Sequence, residues 1–492
     1  MLDSLFGRNL RSHNFPFSLG IYCGLAVLLG IACVSFPPLW TLAALVGAGL
    51  VLGLCKRPEL LPLAYLVLTS TVIEYTQALH IPIGFGTLYL TDVVLLLSLG
   101  IIAVRFIKEP DFKIVRTPLD WPLLIFWGAS LISTLVAIIY SSLPWKQSLG
   151  ETRVVTGYLM FFAVTNLVRE KRQLNLLIRG FLLLATIVAL AMIIQHFLGE
   201  SRIIPAGWIG DAEIEGGETI SDVVRVIPPG QSMIMVALAA AFATMVFERA
   251  GALKFLQSGL LALALVVTFF RASWAVTGVT MLTIGLLARG QEKKRLIVSG
   301  LVAALLVAII LIAVQGRPGS PGANLANAAF ERLITLFDSR TFEDPDSSLR
   351  WRDFEYRYAL PHILSNPFVG LGLGASYRPW TPGKDWEKFD GRTFIHNGHV
   401  WVMLKSGIFA YVGLLWFMLG FFVRGLKYWR RIPDPYMRGI VLAFALTSPA
   451  VLIVSIVEPY VVMLGWATVI GIIAGINEMV LRLFPPGPPL VR

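Results

Sequence analysis

Apolar runs of about twenty residues recur along nearly the whole chain, and this feature constrains the fold more than any other. A run of that length crosses a bilayer as one helix, because only a helix satisfies its own backbone groups in hydrocarbon. Composition agrees. The 492 residues are 56% hydrophobic and 14% charged, against about 25% charged in soluble domains. Mean hydropathy is +0.73. These values exclude a soluble multidomain enzyme, a disordered chain, a collagen-like repeat and a disulfide scaffold. The three cysteines, Cys23, Cys33 and Cys55, sit in or at the end of the first two apolar runs, with neither disulfide nor metal-ligand spacing.

Hydropathy predicts an all-α polytopic membrane protein of about fourteen transmembrane helices, near 15–36, 38–55, 60–76, 90–106, 119–140, 153–168, 175–198, 230–247, 255–270, 272–288, 296–314, 399–423, 438–457 and 460–480. The first run is too long for a signal-peptide core, so it reads as a first span. The expected organisation is helices 1–11 over 1–314, a large, partly helical loop over 315–398, and helices 12–14 with a tail over 399–492. Positive charge orients the spans. With the N-terminus inside, cytoplasmic segments hold 24 of the 41 Lys and Arg, while the short outer loops hold five: Lys146, Arg153, Arg202, Arg225 and Arg271. The long outer loop holds ten basic and ten acidic residues and is neutral. The formal charge of +11 is therefore a cytoplasmic surplus. It reads as topology and contact with anionic membrane lipids, not nucleic-acid binding. With this orientation both termini are cytoplasmic and the long loop lies on the outer face.

Two outer loops exceed hairpin length. One spans 199–229 and is acidic. The other, 315–398, opens on a Gly/Pro-rich linker and continues into an amphipathic stretch from Asn324 to Phe337. A second helical stretch runs from Arg350 to Leu364, followed by a flexible glycine turn, Gly370–Gly374. Long loops in compact proteins tend to carry function.

Candidate chemistry concentrates there. His396, followed by Asn397, stands where the long loop re-enters the membrane. A histidine there suits proton abstraction near neutral pH; it equally suits hydrogen bonding to headgroups. Arg271 projects from a helix end at membrane depth, where it either binds phosphate or snorkels to headgroups. In the helical stretch, Arg350, Asp353 and Arg357 share one face, and Arg352 shares another with Tyr356. Asp353 and Arg357 read as a structural pair, which leaves Arg352 freer to meet a ligand. Arg153 either pairs with Glu151 or binds a ligand. Lys405, two turns inside the next span, and Glu458, between the last two spans, are possible cavity partners. No metal-ligand spacing, nucleotide-binding loop or other cofactor motif is present.

Three segments then align in order. Phe270-Arg271-Ala272-Ser273-Trp274 is followed by Arg352-x3-Tyr356 with Asn366-Pro367-Phe368-Val369-Gly370-Leu371-Gly372, and then by His396-Asn397 with Gly407 in register. Over residues 229–420 the chain resembles the bacterial O-antigen ligase/polymerase family, although Lys405 stands where that family usually has an acid. The resemblance implies a GT-C-like membrane glycosyltransferase, independent of metal and of other cofactors. It would take a glycan linked to undecaprenyl diphosphate and transfer it en bloc to a hydroxyl of an acceptor glycan or lipid A-core, with inversion. By the same resemblance His396 is the general base, and Arg271 and Arg352 hold the diphosphate. Asn397, Arg153, Arg350 and Lys405 are further candidate binding residues. Polymerase and ligase differ only in acceptor, and the span count leans towards a polymerase, which works beside a chain-length regulator. A lipid-linked glycan transporter is the competing class.

Overall fold

The computed structural model describes residues 49, 52–77, 80–84, 86–199, 201–213, 219–248, 251–315, 320–334, 348–381, 391–485 and 487. The expected spans 15–36 and most of 38–55 lie outside the described residues. The chain divides into two units, Met1–Pro58 and Glu59–Arg492. All the elements named below belong to the second.

Its helices in chain order are α1 (Leu61–Thr69), α2 (Leu90–Lys108), α3 (Asp120–Tyr140), α4 (Trp145–Gly157), α5 (Met160–Leu167) and α6 (Lys171–Leu198). Then come α7 (Gln231–Phe247), α8 (Ala252–Val267), α9 (Arg271–Leu287) and α10 (Gln291–Gln315). The last are α11 (Pro321–Ile334), α12 (Ser348–Ser365), α13 (Gly398–Tyr428), α14 (Pro435–Val454) and α15 (Leu464–Leu483). Six helical segments among the described residues are long and apolar enough to cross a membrane: Leu90–Lys108, Asp120–Tyr140, Lys171–Leu198, Gly398–Arg431, Pro435–Val454 and Leu464–Leu483. In α15, 89% of the apolar window is buried inside the protein, against 28% in α2. The last helix is therefore the centre of the bundle and α2 is peripheral.

Among the described residues several of the expected spans are shorter or broken, so the count of fourteen is not confirmed, and packing explains the departures. The expected span 153–168 is broken into α4 and α5. Tyr158, at the break, is fully buried, with its ring edge-on to Phe126 (5.4 Å) and Phe417 (6.1 Å). Its hydroxyl donates to Val461 O at 2.7 Å. The expected span 60–76 ends at Thr69; the Thr69 and Thr71 hydroxyls donate back to Tyr65 O and Val67 O. The regions expected at 230–247, 255–270 and 272–288 are apolar helices of at most seventeen residues, near the lower limit for crossing. The expected span 296–314 lies within α10, whose Leu301, Leu305 and Ile312 are exposed, as suits a lipid-facing helix.

The described residues are mostly helical, as an all-α membrane protein requires, with little strand. Two antiparallel hairpins are present, β1 (His80–Ile83) with β2 (Gly86–Tyr89), and β3 (Trp208–Glu213) with β4 (Thr219–Ile227). The second occupies the acidic loop 199–229. Its run Thr219-Ile-Ser-Asp-Val-Val-Arg-Val-Ile227 is rich in β-branched residues, and Val223, Val224 and Val226 are buried.

The expected flexible turn at Gly370–Gly374 is instead a fixed clamp on α13. Gly370, Gly372 and Gly374 all have positive φ (72°, 88° and 89°). A Cβ at Gly372 would lie 2.4 Å from Ala137 Cβ. Helix α13 opens at Gly407 (φ 74°) to receive the clamp. Ile408 N donates to Pro367 O rather than to its own helix; Leu371 N takes up Leu404 O, and Gly372 N takes up Lys405 O. Ser133 of α3 donates a second bond to Lys405 O at 2.7 Å. These bonds satisfy the carbonyls freed at the break, which an apolar setting demands. At Gly407 a side chain would meet Phe368 O at 2.2 Å, so glycine is obligatory there.

Candidate active site

The N-terminus of α13 and the side of α12 build the first cluster. Asn397 is the N-cap of α13: its Oδ1 accepts from His399 N (2.9 Å) and Val400 N (3.1 Å). Its Nδ2 donates to the Tyr356 hydroxyl of α12 at 2.9 Å. The cap fixes the backbone of His396, one residue before it. Glu355 of α12, 1% exposed, then grips that histidine twice. Its Oε2 accepts from His396 N at 2.9 Å, and its Oε1 lies 2.8 Å from His396 Nδ1. Trp351 Nε1 donates to the same Oε1 at 2.9 Å, which holds the carboxylate in this orientation. Phe394 stands edge-on to the imidazole at 4.9 Å. With Glu355 as a carboxylate, Nδ1 carries the proton and Nε2 carries the lone pair. Nε2 has no protein partner among the described residues, and the His396 side chain is 31% exposed. A base oriented by a buried acid and open on its other nitrogen is the arrangement that proton abstraction requires.

Cationic groups converge beside it. Arg352, one turn before Glu355 on α12, donates from Nε and Nη2 to Val457 O (3.2 and 2.7 Å), and its Nη2 lies 3.9 Å from Glu458. Glu458 sits in the connection between α14 and α15. Burial raises its carboxyl pKa, while His396, Arg352 and Arg225 pull it back down. Arg225, on β4, donates to Thr268 O at 2.9 Å and approaches the Phe270 ring. Arg271 is the first residue of α9. It follows Phe270, whose ring lies 6.1 Å from that of Tyr460, two residues after Glu458. The structure therefore gathers His396, Asn397 and Arg352 at one centre, while Arg271 is placed only through its neighbour Phe270, which meets Tyr460. Arg357 pairs with Asp353 at 2.6 Å on the exposed face. The Arg350 side chain lies outside what the structure describes.

Two candidates are placed elsewhere. Arg153 binds Asp92 (3.0 Å) and Thr87 O, with its guanidinium 4.5 Å from the Tyr89 ring; it does not pair with Glu151. Lys405 is fully buried. Its ammonium donates to Ala375 O and lies 3.6 Å from Glu151. Glu151 accepts from Gly374 N at 2.6 Å. Burial raises the Glu151 carboxyl pKa, and the Lys405 ammonium opposes that rise. This pair ties α4, α13 and the glycine clamp together.

Sequence reasoning misses Glu355, although a signal exists. It lies at i+3 from Arg352 and i+4 from Trp351, hence on the same helix face as that arginine. Arg225 is legible in the sequence only as one of five outer basic residues.

Taken together, the fold and site describe apolar helices of membrane-spanning character, with a histidine held by a buried acid and arginines nearby. Residues 256–415, about a third of the chain, match the family model described as O-antigen ligase, so this segment is similar to that family. The match supports a membrane glycan ligase or polymerase role. The match runs from α8 into α13 and so includes Arg271, Arg352, Glu355, His396 and Gly407, but neither Glu151 nor Glu458. No curated protein matches the chain.

Proposed function

We propose that the protein is a glycosyltransferase that moves a glycan en bloc from undecaprenyl diphosphate to a hydroxyl of an acceptor glycan, on the periplasmic side of the inner membrane. The observation that carries this reading is His396, held at Nδ1 by the buried Glu355 and open at Nε2, with Arg352 close by at their shared neighbour Glu458. The acceptor hydroxyl gives its proton to Nε2 while its oxygen bonds to the anomeric carbon. The bond from that carbon to the diphosphate oxygen breaks, and its electron pair leaves with the lipid diphosphate. Arg352 and Arg271 stabilise the negative charge that develops there. Attack opposite to the leaving group inverts the anomeric centre. Glu355 orients the imidazole and stabilises its protonated form. Asn397 sets the backbone from which His396 projects.

The acceptor is either a second lipid-linked glycan or a lipid A-core sugar. The experiment is transfer in proteoliposomes holding the purified protein, a glycosylated undecaprenyl diphosphate donor and either acceptor. Formation of a longer glycan with an inverted linkage supports the reading. Movement of the donor across the bilayer with no glycan transfer overturns it in favour of a transporter.

A further inference from the structure

An open groove of about 580 Å³ lies between the end of α3, the end of α12 and the clamp that follows it. Tyr140, Ser141, Ser142, His362, Asn366 and Ser376 supply its polar lining. None of its lining residues is Asp, Glu, Lys or Arg. Its size is in the range of small-molecule binding clefts.

We infer that this groove is a binding site for neutral oligosaccharide, holding a stretch of glycan away from the reacting sugar. The inference rests on the glycosyltransferase reading above and deepens it. The lining decides the ligand class. A diphosphate needs cationic or helix-terminal donors, and the cations sit at the Arg352 centre. Here hydroxyl, amide and imidazole groups can both give and accept hydrogen bonds, as a polyhydroxylated ligand requires. Tyr140, 82% exposed, adds an aromatic ring for the apolar face of a sugar.

An exposed tyrosine at a helix end also suits a membrane interface. The opposite wall argues against that alone, because α12 and the Ala375–Ser376 segment belong to none of the candidate spans. The groove also connects to the base. His362 lies two turns along α12 from Glu355, roughly 10 Å at 1.5 Å per residue. From Ser376 the chain continues into Tyr377, whose N donates to Arg392 O (3.0 Å) and whose hydroxyl donates to Phe394 O (3.1 Å). Phe394 in turn packs on His396. A short oligosaccharide could therefore run along α12 from the groove to the base.

The test measures binding of the free oligosaccharide repeat, released from the host's own surface glycan and carrying neither lipid nor phosphate. The wild type, Tyr140→Ala/Asn366→Ala and Arg352→Ala are compared in nanodiscs by ligand-observed NMR. The expected result is binding by the wild type, binding at least about tenfold weaker in the groove variant, and near-wild-type binding in Arg352→Ala. Absence of wild-type binding, equal binding by the groove variant, or loss in Arg352→Ala alone overturns the proposal. So does displacement of the oligosaccharide by added phospholipid, which would make the groove a lipid site. The transfer assay reports separately on the enzyme. A wild type that transfers glycan while the groove variant binds normally refutes only the groove, and a wild type that transfers nothing refutes the glycosyltransferase reading.

Discussion

The two ends of the segment from His396 to Gly407 carry contrasting charge clusters. At the N-terminus of α13, His396 is gripped on one nitrogen by Glu355 and open on the other. Two turns further in, Lys405 is fully buried, paired with Glu151 and bonded to Ala375 O. The first cluster leaves a group unspent for an incoming ligand. The second has no access to one, and its groups join three chain segments. The difference teaches that proximity in sequence to a catalytic motif is a poor guide to role. What matters is whether the polar groups of a residue are already satisfied.

Substitutions can break or sharpen this contrast, from largest effect to smallest. His396→Ala should lower transfer on the order of 10²- to 10⁴-fold, the usual contribution of a positioned general base, with a stability loss of about 1–3 kcal/mol from the bond that Glu355 loses. Lys405→Met should behave in the opposite way. It strands the Glu151 carboxylate and should destabilise the protein by about 3–5 kcal/mol, with near-normal transfer per folded molecule. The double substitution Lys405→Met/Glu151→Met should recover most of that stability, read by thermal unfolding in detergent. If it does not, the pair is more than a structural tie.

Glu355→Gln keeps the shape but loses the acceptor that sets the tautomer. It should lower transfer about 10²-fold, the scale of a misplaced catalytic group, with KM for the acceptor little changed. A loss confined to KM would make Glu355 a binding residue instead. Arg357→Ala removes an exposed i,i+4 pair and should change stability by no more than about 0.5 kcal/mol and transfer not at all.

Much of the site is legible in the sequence, because the chemistry is concentrated in short motifs. His396, Asn397 and Arg352 are each visible there, and so is the internal pairing of Asp353 with Arg357. The Asn366–Gly372 and Gly407 motifs are also visible, but as separate features. Only the structure shows that one is the clamp and the other the opening it enters, since the bonds from Leu371 and Gly372 to Leu404 and Lys405 join distant strips of chain. The partner of Lys405 lies far upstream, at position 151, and nothing local to either residue announces it. Local spacing pairs Arg153 with its neighbour Glu151, whereas tertiary packing supplies Asp92. One expected span reads differently in the structure for a related reason. Hydropathy registers an apolar run at 153–168 but cannot register that Tyr158 breaks it to reach Val461.

The central claim is that His396 removes the acceptor proton. Its most direct test is single-turnover transfer by His396→Ala with the lipid-linked donor already bound. The predicted result is normal donor affinity, a folded protein with a cooperative unfolding transition and a transfer step slowed at least about 10²-fold. A variant that binds donor and transfers at the wild-type rate would contradict it.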